Sequence, residues 1–334
     1  MNKELQLWAI LPENSKRNIL SAINKETKLP TDAIEKDWWV VQTLRLIFEM
    51  DCADSLVFKG GTSLSKAWGL IERFSEDIDL ALDRKFLGFE GELSNQQIKK
   101  LRKASFKYIT EEFYPTLIAK FEDVGISDLE IKIAETTESD QDPRIIEIYY
   151  PSVFDKLGYI RPKVIVEVGS RSLREPFSVR SFNSYVGEHN PNTVFADSLI
   201  NIPTVNPERT FLEKVFLLHE EFQKPLDKIR VDRLTRHLYD LEKLMDTEFA
   251  QKALTDSKLY QDIVNHRKLY TSIRGVDYDN HSPQKIDPIP PAGIIDKWEN
   301  DYMVMQQYMI YGESLSFSEL IERVKELKAR LNNL

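Results

Sequence analysis

The sequence predicts an α+β fold: a mixed sheet with flanking helices over residues 1–190, then a helical C-terminal domain over residues 191–334. Three observations carry this expectation. Short apolar runs with period-two alternation, the pattern of half-buried strands, gather before residue 190. Beyond the loop Glu188-His189-Asn190-Pro191-Asn192 the apolar residues recur at helical spacing instead. Between the first two strands, Gly60-Gly61 marks a tight turn that opens a short helix.

Taken in order, residues 14–28 and 31–49 read as amphipathic helices, the second opened by Thr31-Asp32 after Pro30. Ile34, Trp38, Val41 and Leu44 form one stripe of that helix, so its tryptophans read as core packing and not as ligands. Leu56-Val57-Phe58 starts the first strand, Thr62 to Leu70 the helix after the turn, and Asp77 to Leu82 the second strand. Residues 94–122 read as one long helix whose lysines (Lys99, Lys100, Lys103, Lys107) suit a solvated face. Strands are expected over Leu129–Glu135, Ile145–Tyr149, Val164–Val168 and Phe177–Val186. Helices are expected over 207–223, 230–246, 248–268, 293–310 and 316–332, with a proline-rich connector from Asp277 to Ala292.

Composition narrows the function. With 334 residues, 42% hydrophobic and 30% charged, the chain suits a soluble protein of about two domains. No run approaches the ~20 apolar residues of a membrane span, and Met1-Asn2-Lys3-Glu4-Leu5-Gln6 is not a signal peptide. A single cysteine excludes an internal disulfide framework and fits the cytoplasm, and five scattered histidines make a zinc site an unsuitable reading. The net charge of −9 argues against coating nucleic acid by bulk electrostatics, while leaving room for a local basic patch.

The chemistry concentrates in Phe58-Lys59-Gly60-Gly61-Thr62-Ser63-Leu64-Ser65-Lys66 and the following Arg73-Phe74-Ser75-Glu76-Asp77-Ile78-Asp79-Leu80. Alternation on a strand turns Asp77 and Asp79 to one face and Ile78 and Leu80 into a core. Two carboxylates fixed side by side repel unless a cation lies between them. The glycine pair leaves backbone N–H groups open at a helix start, where an anion is favoured. Metal carboxylates beside a phosphate cradle suggest nucleotidyl or phosphoryl transfer. Glu167 interrupts the strand Lys163-Val164-Ile165-Val166-Glu167-Val168, either as a third acid for that centre or as an outward Glu on an edge strand.

Two helices add cations. Lys214 lies among the apolar stripe Phe211, Val215, Leu218 and Phe222, where an ammonium either snorkels outward or meets a buried anion such as a triphosphate. On the next helix Arg233, His237 and Asp240 fall on one stripe. This row is either a surface ion-pair row or the wall of an active-site cleft, with Asp240 orienting Lys214 and the arginines, Arg236 included, gripping phosphate or RNA.

These motifs resemble the AbiEii/AbiGii nucleotidyltransferase toxin family of abortive-infection toxin–antitoxin pairs. The resemblance runs from Glu35-Lys36-Asp37-Trp38-Trp39-Val40 through the two motifs above to Thr210-Phe211-Leu212-Glu213-Lys214 and Arg236-His237-Leu238-Tyr239-Asp240-Leu241. It continues in Trp298, Asp301-Tyr302, Met305, Met309 and Ser316-Phe317. It implies a polymerase-β-like nucleotidyltransferase fold, Mg²⁺ at one or two sites and an NTP donor. It implies metal binding by Asp77 and Asp79, and phosphate binding by Gly61, Thr62, Ser63 or Ser65, and Lys66; Gly60 and Arg73 are candidates for the same phosphate. Lys214 and Asp240 match the family's essential lysine and aspartate. It also implies transfer onto RNA, in some members tRNA 3′ ends, countered by a cognate antitoxin. The other readings are a protein acceptor, such as the antitoxin, or a non-catalytic binder of antitoxin or RNA.

Overall fold

Described in the computed structural model are residues 3–75, 77–154 and 161–334; Glu76 of the carboxylate motif lies outside them. The chain divides into two units, Met1–Ala67 with Ser75–Thr204, and Trp68–Phe74 with Val205–Leu334. In chain order the first unit holds α1 (Lys3–Ala9), α2 (Glu13–Thr27), α3 (Thr31–Ile47), β1 (Leu56–Lys59), α4 (Gly60–Thr62), β2 (Asp77–Leu82), α5 (Asn95–Tyr108) and α6 (Tyr114–Asp123). It continues with β3 (Glu130–Ile133), β4 (Arg144–Tyr149), β5 (Lys163–Gly169), β6 (Phe177–Phe182), α7 (Tyr185–His189) and β7 (Ile200–Val205).

The strands form one mixed sheet in the order β3-β4-β5-β2-β1-β7-β6. Strands β1 and β2 are antiparallel, β2 and β5 parallel, and β3-β4-β5 an antiparallel run. The expected α+β class therefore holds. Strand β7 lies beyond the 188–192 loop, where helices were expected, and it contains Pro203, which cannot donate to a ladder. It joins the sheet parallel to β1 at Phe58↔Thr204, just beyond that proline. The sheet thus runs on past the 188–192 loop.

Helix α3 is buried along nearly its whole length. Trp38 is 1% exposed and packs on Trp8 and Trp39 with ring centroids 5.6 and 4.9 Å apart, which bears out the core reading of the tryptophans. Glu35, Lys36, Asp37 and Arg45 are buried as well, and each holds another segment. Glu35 accepts from Ser152 Oγ (2.6 Å) and Val153 N (2.9 Å), and Lys36 donates to Arg161 O (3.3 Å).

Several boundaries differ from the pattern-based expectation. The helix after the glycine turn is α4 followed by a π-helical turn, Ser63–Ala67, and it stops before Gly69. The long helix expected over 94–122 is α5, a π-helical turn at Ile109–Phe113, and α6, the change in pitch falling just before Pro115, which lacks an N–H. Beyond β6, Ser184 caps α7 by accepting from Gly187 N at 3.2 Å, so the strand cannot reach Val186. Helix α3 begins at Thr31, with Pro30 in the cap position.

The second unit contains α8 (Pro207–Phe222), α9 (Thr235–Leu244), α10 (Glu248–Thr255), α11 (Ser257–His266), α12 (Ile295–Tyr308) and α13 (Phe317–Asn332). Its core includes Phe211, Val215, Leu218, Leu238, Leu241, Leu320 and Val324, all at most 0% exposed. The helix expected over 230–246 starts only at Thr235, because Arg233 takes a left-handed φ of 59°. The expected 248–268 helix is broken at Asp256, whose carboxylate accepts from Leu259 N (2.8 Å) and starts α11. Among the described residues, no helix is long and apolar enough to cross a membrane.

Candidate active site

In the first unit the sheet register assembles a row of ionisable residues. Lys59 on β1 is opposite Asp79 on β2, and Asp79 is opposite Glu167 on β5. Directly opposed residues share a face, so Lys59, Asp79 and Glu167 line up across three strands, with Asp77 one pleat further along β2. The flanking Ile78, Leu80, Val166 and Val168 are buried on the other face, at most 2% exposed. Strand β5 lies between β4 and β2, in the interior of the sheet, so Glu167 is not on an edge strand. Lys59 had no part in the sequence reading, although its place one residue before Gly60 could have marked it.

The glycine turn is fitted to this row. Gly60 has φ +82°, and a Cβ there would lie 1.9 Å from Asp79 Oδ2. Only glycine allows both the backbone conformation and the approach of the carboxylate. Thr62 Oγ1 donates to the Asp77 carbonyl (2.5 Å), fastening the turn to β2. Ser63 Oγ donates to Gly60 O at 2.9 Å, and Ser65 Oγ to Thr62 O at 3.2 Å. Ser63 is fully buried with Gly61 and Thr62, whereas Ser65 is partly exposed. Lys66 is held by neighbouring side chains. Its ammonium pairs with Asp37 on α3 (2.9 Å) and lies 3.9 Å from the centre of the Tyr185 ring.

Carboxylate oxygens on one face suit Mg²⁺, a hard cation that commonly takes one or two protein carboxylates and completes its shell with water and substrate phosphates. Among the described residues, no group of three or more His, Cys, Asp or Glu forms a cage that could hold a metal. The donor set thus fits an open Mg²⁺ site on Asp77 and Asp79, and does not fit an all-protein cage.

The second unit contains a buried ion cluster. Arg73 grips Asp240 with two hydrogen bonds, Nε to Oδ1 (2.6 Å) and Nη2 to Oδ2 (2.7 Å). Lys214 Nζ lies 2.8 Å from Asp240 Oδ2 and 3.4 Å from His237 Nδ1. Arg73 and Asp240 are 1% and 0% exposed, Lys214 6% and His237 7%. Burial alone would raise the Asp240 pKa, but the Arg73 guanidinium and Lys214 ammonium hold it well below the usual carboxylate range. Burial lowers the Lys214 pKa, with Asp240 opposing, and burial and the Lys214 charge push His237 well down. His237 is therefore neutral and its Nδ1 accepts, since an ammonium only donates. With two cations on one carboxylate, the cluster keeps a net positive charge.

Sequence reasoning paired Asp240 with Lys214, and the structure brings these two together. It gave Arg73 to phosphate, yet that guanidinium is occupied by Asp240 and the Phe74 carbonyl (3.1 Å). Arg233 precedes α9, so it is not part of a helical row with His237 and Asp240. Its backbone N–H donates to Asp301 (2.8 Å). Arg236 is partly exposed on α9, and its charge acts on Lys214 and His237. Thr210, one turn before Lys214, is 4% exposed with a hydroxyl that lacks a hydrogen-bond partner among the described residues.

Two comparisons place the chain among known proteins. Residues 45–323 match the family described as Nucleotidyl transferase AbiEii toxin, Type IV TA system. The fold is similar to that of MenT4, a nucleotidyltransferase toxin from Mycobacterium tuberculosis H37Rv, with a TM-score of 0.52 and 16% identity, over 94% of this chain and 90% of that one. No curated protein matches the chain. The likeness to MenT4 shows a shared fold, and the family match spans most of the sequence. The chain belongs to the AbiEii family and is a nucleotidyltransferase toxin of a type IV toxin–antitoxin system.

Proposed function

We propose that the protein transfers a nucleoside monophosphate from an NTP, with Mg²⁺, onto an RNA acceptor, in the first instance tRNA, in the cytoplasm, and that a cognate antitoxin counters the effect. The observation that carries this reading is the fit of Asp79 against Gly60, within a row that also contains Glu167. Asp77 and Asp79 would hold the metal, whose charge would offset that of the triphosphate. The N–H groups at the start of the helical turn, those of Gly61, Thr62 and Ser63, are suited to phosphate oxygens. Ser65, the more accessible of the two serines, is the better placed hydroxyl donor.

In this reading an acceptor hydroxyl oxygen bonds to the α-phosphorus, the bond to the bridging oxygen breaks, and pyrophosphate leaves. The hydroxyl proton passes to the Glu167 carboxylate. Lys214 and Asp240, which match the family's essential lysine and aspartate, are required for transfer as well, and the charge of Arg236 acts on their cluster. Lys66 acts through Asp37 as a brace for the turn, and Arg73 as the counter-ion of Asp240. Arg233 contributes through its fixed turn.

The test is incubation with each labelled NTP, Mg²⁺ and total tRNA, with RNase treatment of the product. RNase-sensitive label is expected, and Asp77→Ala or Lys214→Ala should abolish both labelling and growth inhibition. Full transfer by either variant would sink the assignment, and RNase-resistant label on protein would move the acceptor.

A further inference from the structure

The sheet face that carries the acids continues past Glu167. Ile145 on β4 is opposite Glu167 on β5 and so shares its face. Across the sheet the order on that face is Ile145, Glu167, Asp79 and Lys59, on strands about 4.8 Å apart, and the glycine turn follows Lys59. Ile145 also belongs to the wall of a cavity of about 810 Å³, within the ~300–1,000 Å³ of small-ligand sites. The other walls include Thr137, Gln141 and Pro143 from the loop between β3 and β4, Arg102 of α5, and Arg171 just beyond β5. That loop is anchored. Arg102 Nε donates to Asp140 O (2.9 Å), and Asp142, 3% exposed, accepts from Ser170 N (3.1 Å) and Ser170 Oγ (3.1 Å). Thr137 is exposed and Gln141 partly exposed, and neither side chain is one of these anchors.

We propose that this cavity receives the 3′-terminal nucleoside of the RNA acceptor, and that Gln141 and Thr137 select its base. The inference rests on the reading, given above, of the glycine turn as the phosphate site and Glu167 as the proton acceptor. In an in-line displacement the incoming oxygen and the departing pyrophosphate lie on opposite sides of the phosphorus. The sheet has two such sides. The glycine turn follows β1, the cavity borders β4, and Asp79 and Glu167 lie on the strands between. With the triphosphate at the turn, the acceptor side is the one beyond Glu167. The lining chemistry agrees. Glu135 and Glu138 also face the cavity, and Arg102 and Arg171 are paired with Asp140 (3.4 Å) and Asp142 (3.5 Å). A triphosphate would meet acids there, whereas a base and ribose carry no charge. The Gln141 amide offers both donors and an acceptor, and the Thr137 hydroxyl does the same, as reading a base edge requires.

The test is transfer from one labelled NTP, held saturating with Mg²⁺, to four short RNAs that differ only in the 3′-terminal base. The full chain should use them unequally. Gln141→Leu should lower kcat/KM for the favoured RNA about tenfold and narrow the spread among the four. Its KM for the NTP should change less than about twofold. Thr137→Trp, which fills the cavity from an exposed loop position, should lower the use of all four RNAs about tenfold or more. Its binding of Mg²⁺–NTP in calorimetry should match that of the unaltered protein. Equal use of the four RNAs by the unaltered protein would overturn the inference, as would undiminished discrimination in Gln141→Leu. A changed preference among NTPs, with the RNA preference intact, would assign the cavity to the donor and overturn it as well. No transfer to any RNA would instead bring down the reading on which the inference rests.

Discussion

The carboxylate row and the buried ion cluster are built on opposite principles. The row in the first unit is set by backbone register: Lys59, Asp79 and Glu167 face one way because their strands pair at those residues. The cluster in the second unit is set by side chains alone, joining residues as far apart as Arg73 and Asp240 through a paired guanidinium and carboxylate. A backbone-built site tolerates exposure, since the sheet holds it whether or not the side chains are bonded to one another. A side-chain-built site survives only if every partner is present, because each charge is desolvated. The first should therefore fail in chemistry, and the second in folding and chemistry together.

The largest expected effect tests that contrast directly. Arg73→Met leaves Asp240 buried with one cation, and should cost about 3–5 kcal/mol of stability in urea unfolding. A loss below about 1 kcal/mol would show that the cluster does not depend on its partners. Next, Gly60→Ala should displace the Asp79 carboxylate and lower transfer about a hundredfold, equivalent to about 2.7 kcal/mol in the barrier. Its unfolding midpoint should move far less than that of Arg73→Met; comparable destabilisation would erase the distinction.

A pH titration sharpens the comparison at intermediate scale. His237 has its folded pKa lowered well below the ordinary value, so below about pH 6.5 the unfolded chain binds a proton that the folded chain does not. Stability should fall by up to about 1.4 kcal/mol per pH unit as the pH drops from about 6.5 toward the folded value. In His237→Asn the slope should be shallower by that amount, and an unchanged slope would contradict the neutral histidine. Asp240 works in the other sense. Its contribution is complete above about pH 4 and is lost only as the pH falls through its depressed folded value. The smallest effect is reserved for Lys59→Met, which should alter transfer by less than about tenfold and hardly change stability. A greater loss would make Lys59 a full member of the carboxylate row.

The same contrast explains what could be read from the sequence. Asp77-Ile78-Asp79 and Val166-Glu167-Val168 announce their faces by alternation, so the α+β class and the row of acids were legible. Gly60 was legible as a turn, but its close approach to Asp79 was not, since contact across two strands depends on register. The partner of Asp240 was only half legible. Lys214 stood out because it interrupts an apolar stripe, whereas Arg73 looked like one more cation beside a phosphate motif. Nothing local distinguishes a guanidinium that binds substrate from one that binds a carboxylate over a hundred residues away. Strand β7 was hidden by Pro203, and the start of α9 by the left-handed turn at Arg233.

Glu35-Lys36-Asp37 carries a consequence for how this chain can vary. Three successive side chains leave α3 in three directions, to residues 152–153, to Arg161, and to Lys66 with Tyr185 N. The helix thereby couples the glycine turn to segments that never approach a nucleotide in the proposed chemistry. A selection for harmless toxin mutants should return substitutions at these three positions alongside those at the acids. Second-site suppressors of an Asp37 change should then map to position 66 and to the 185 region.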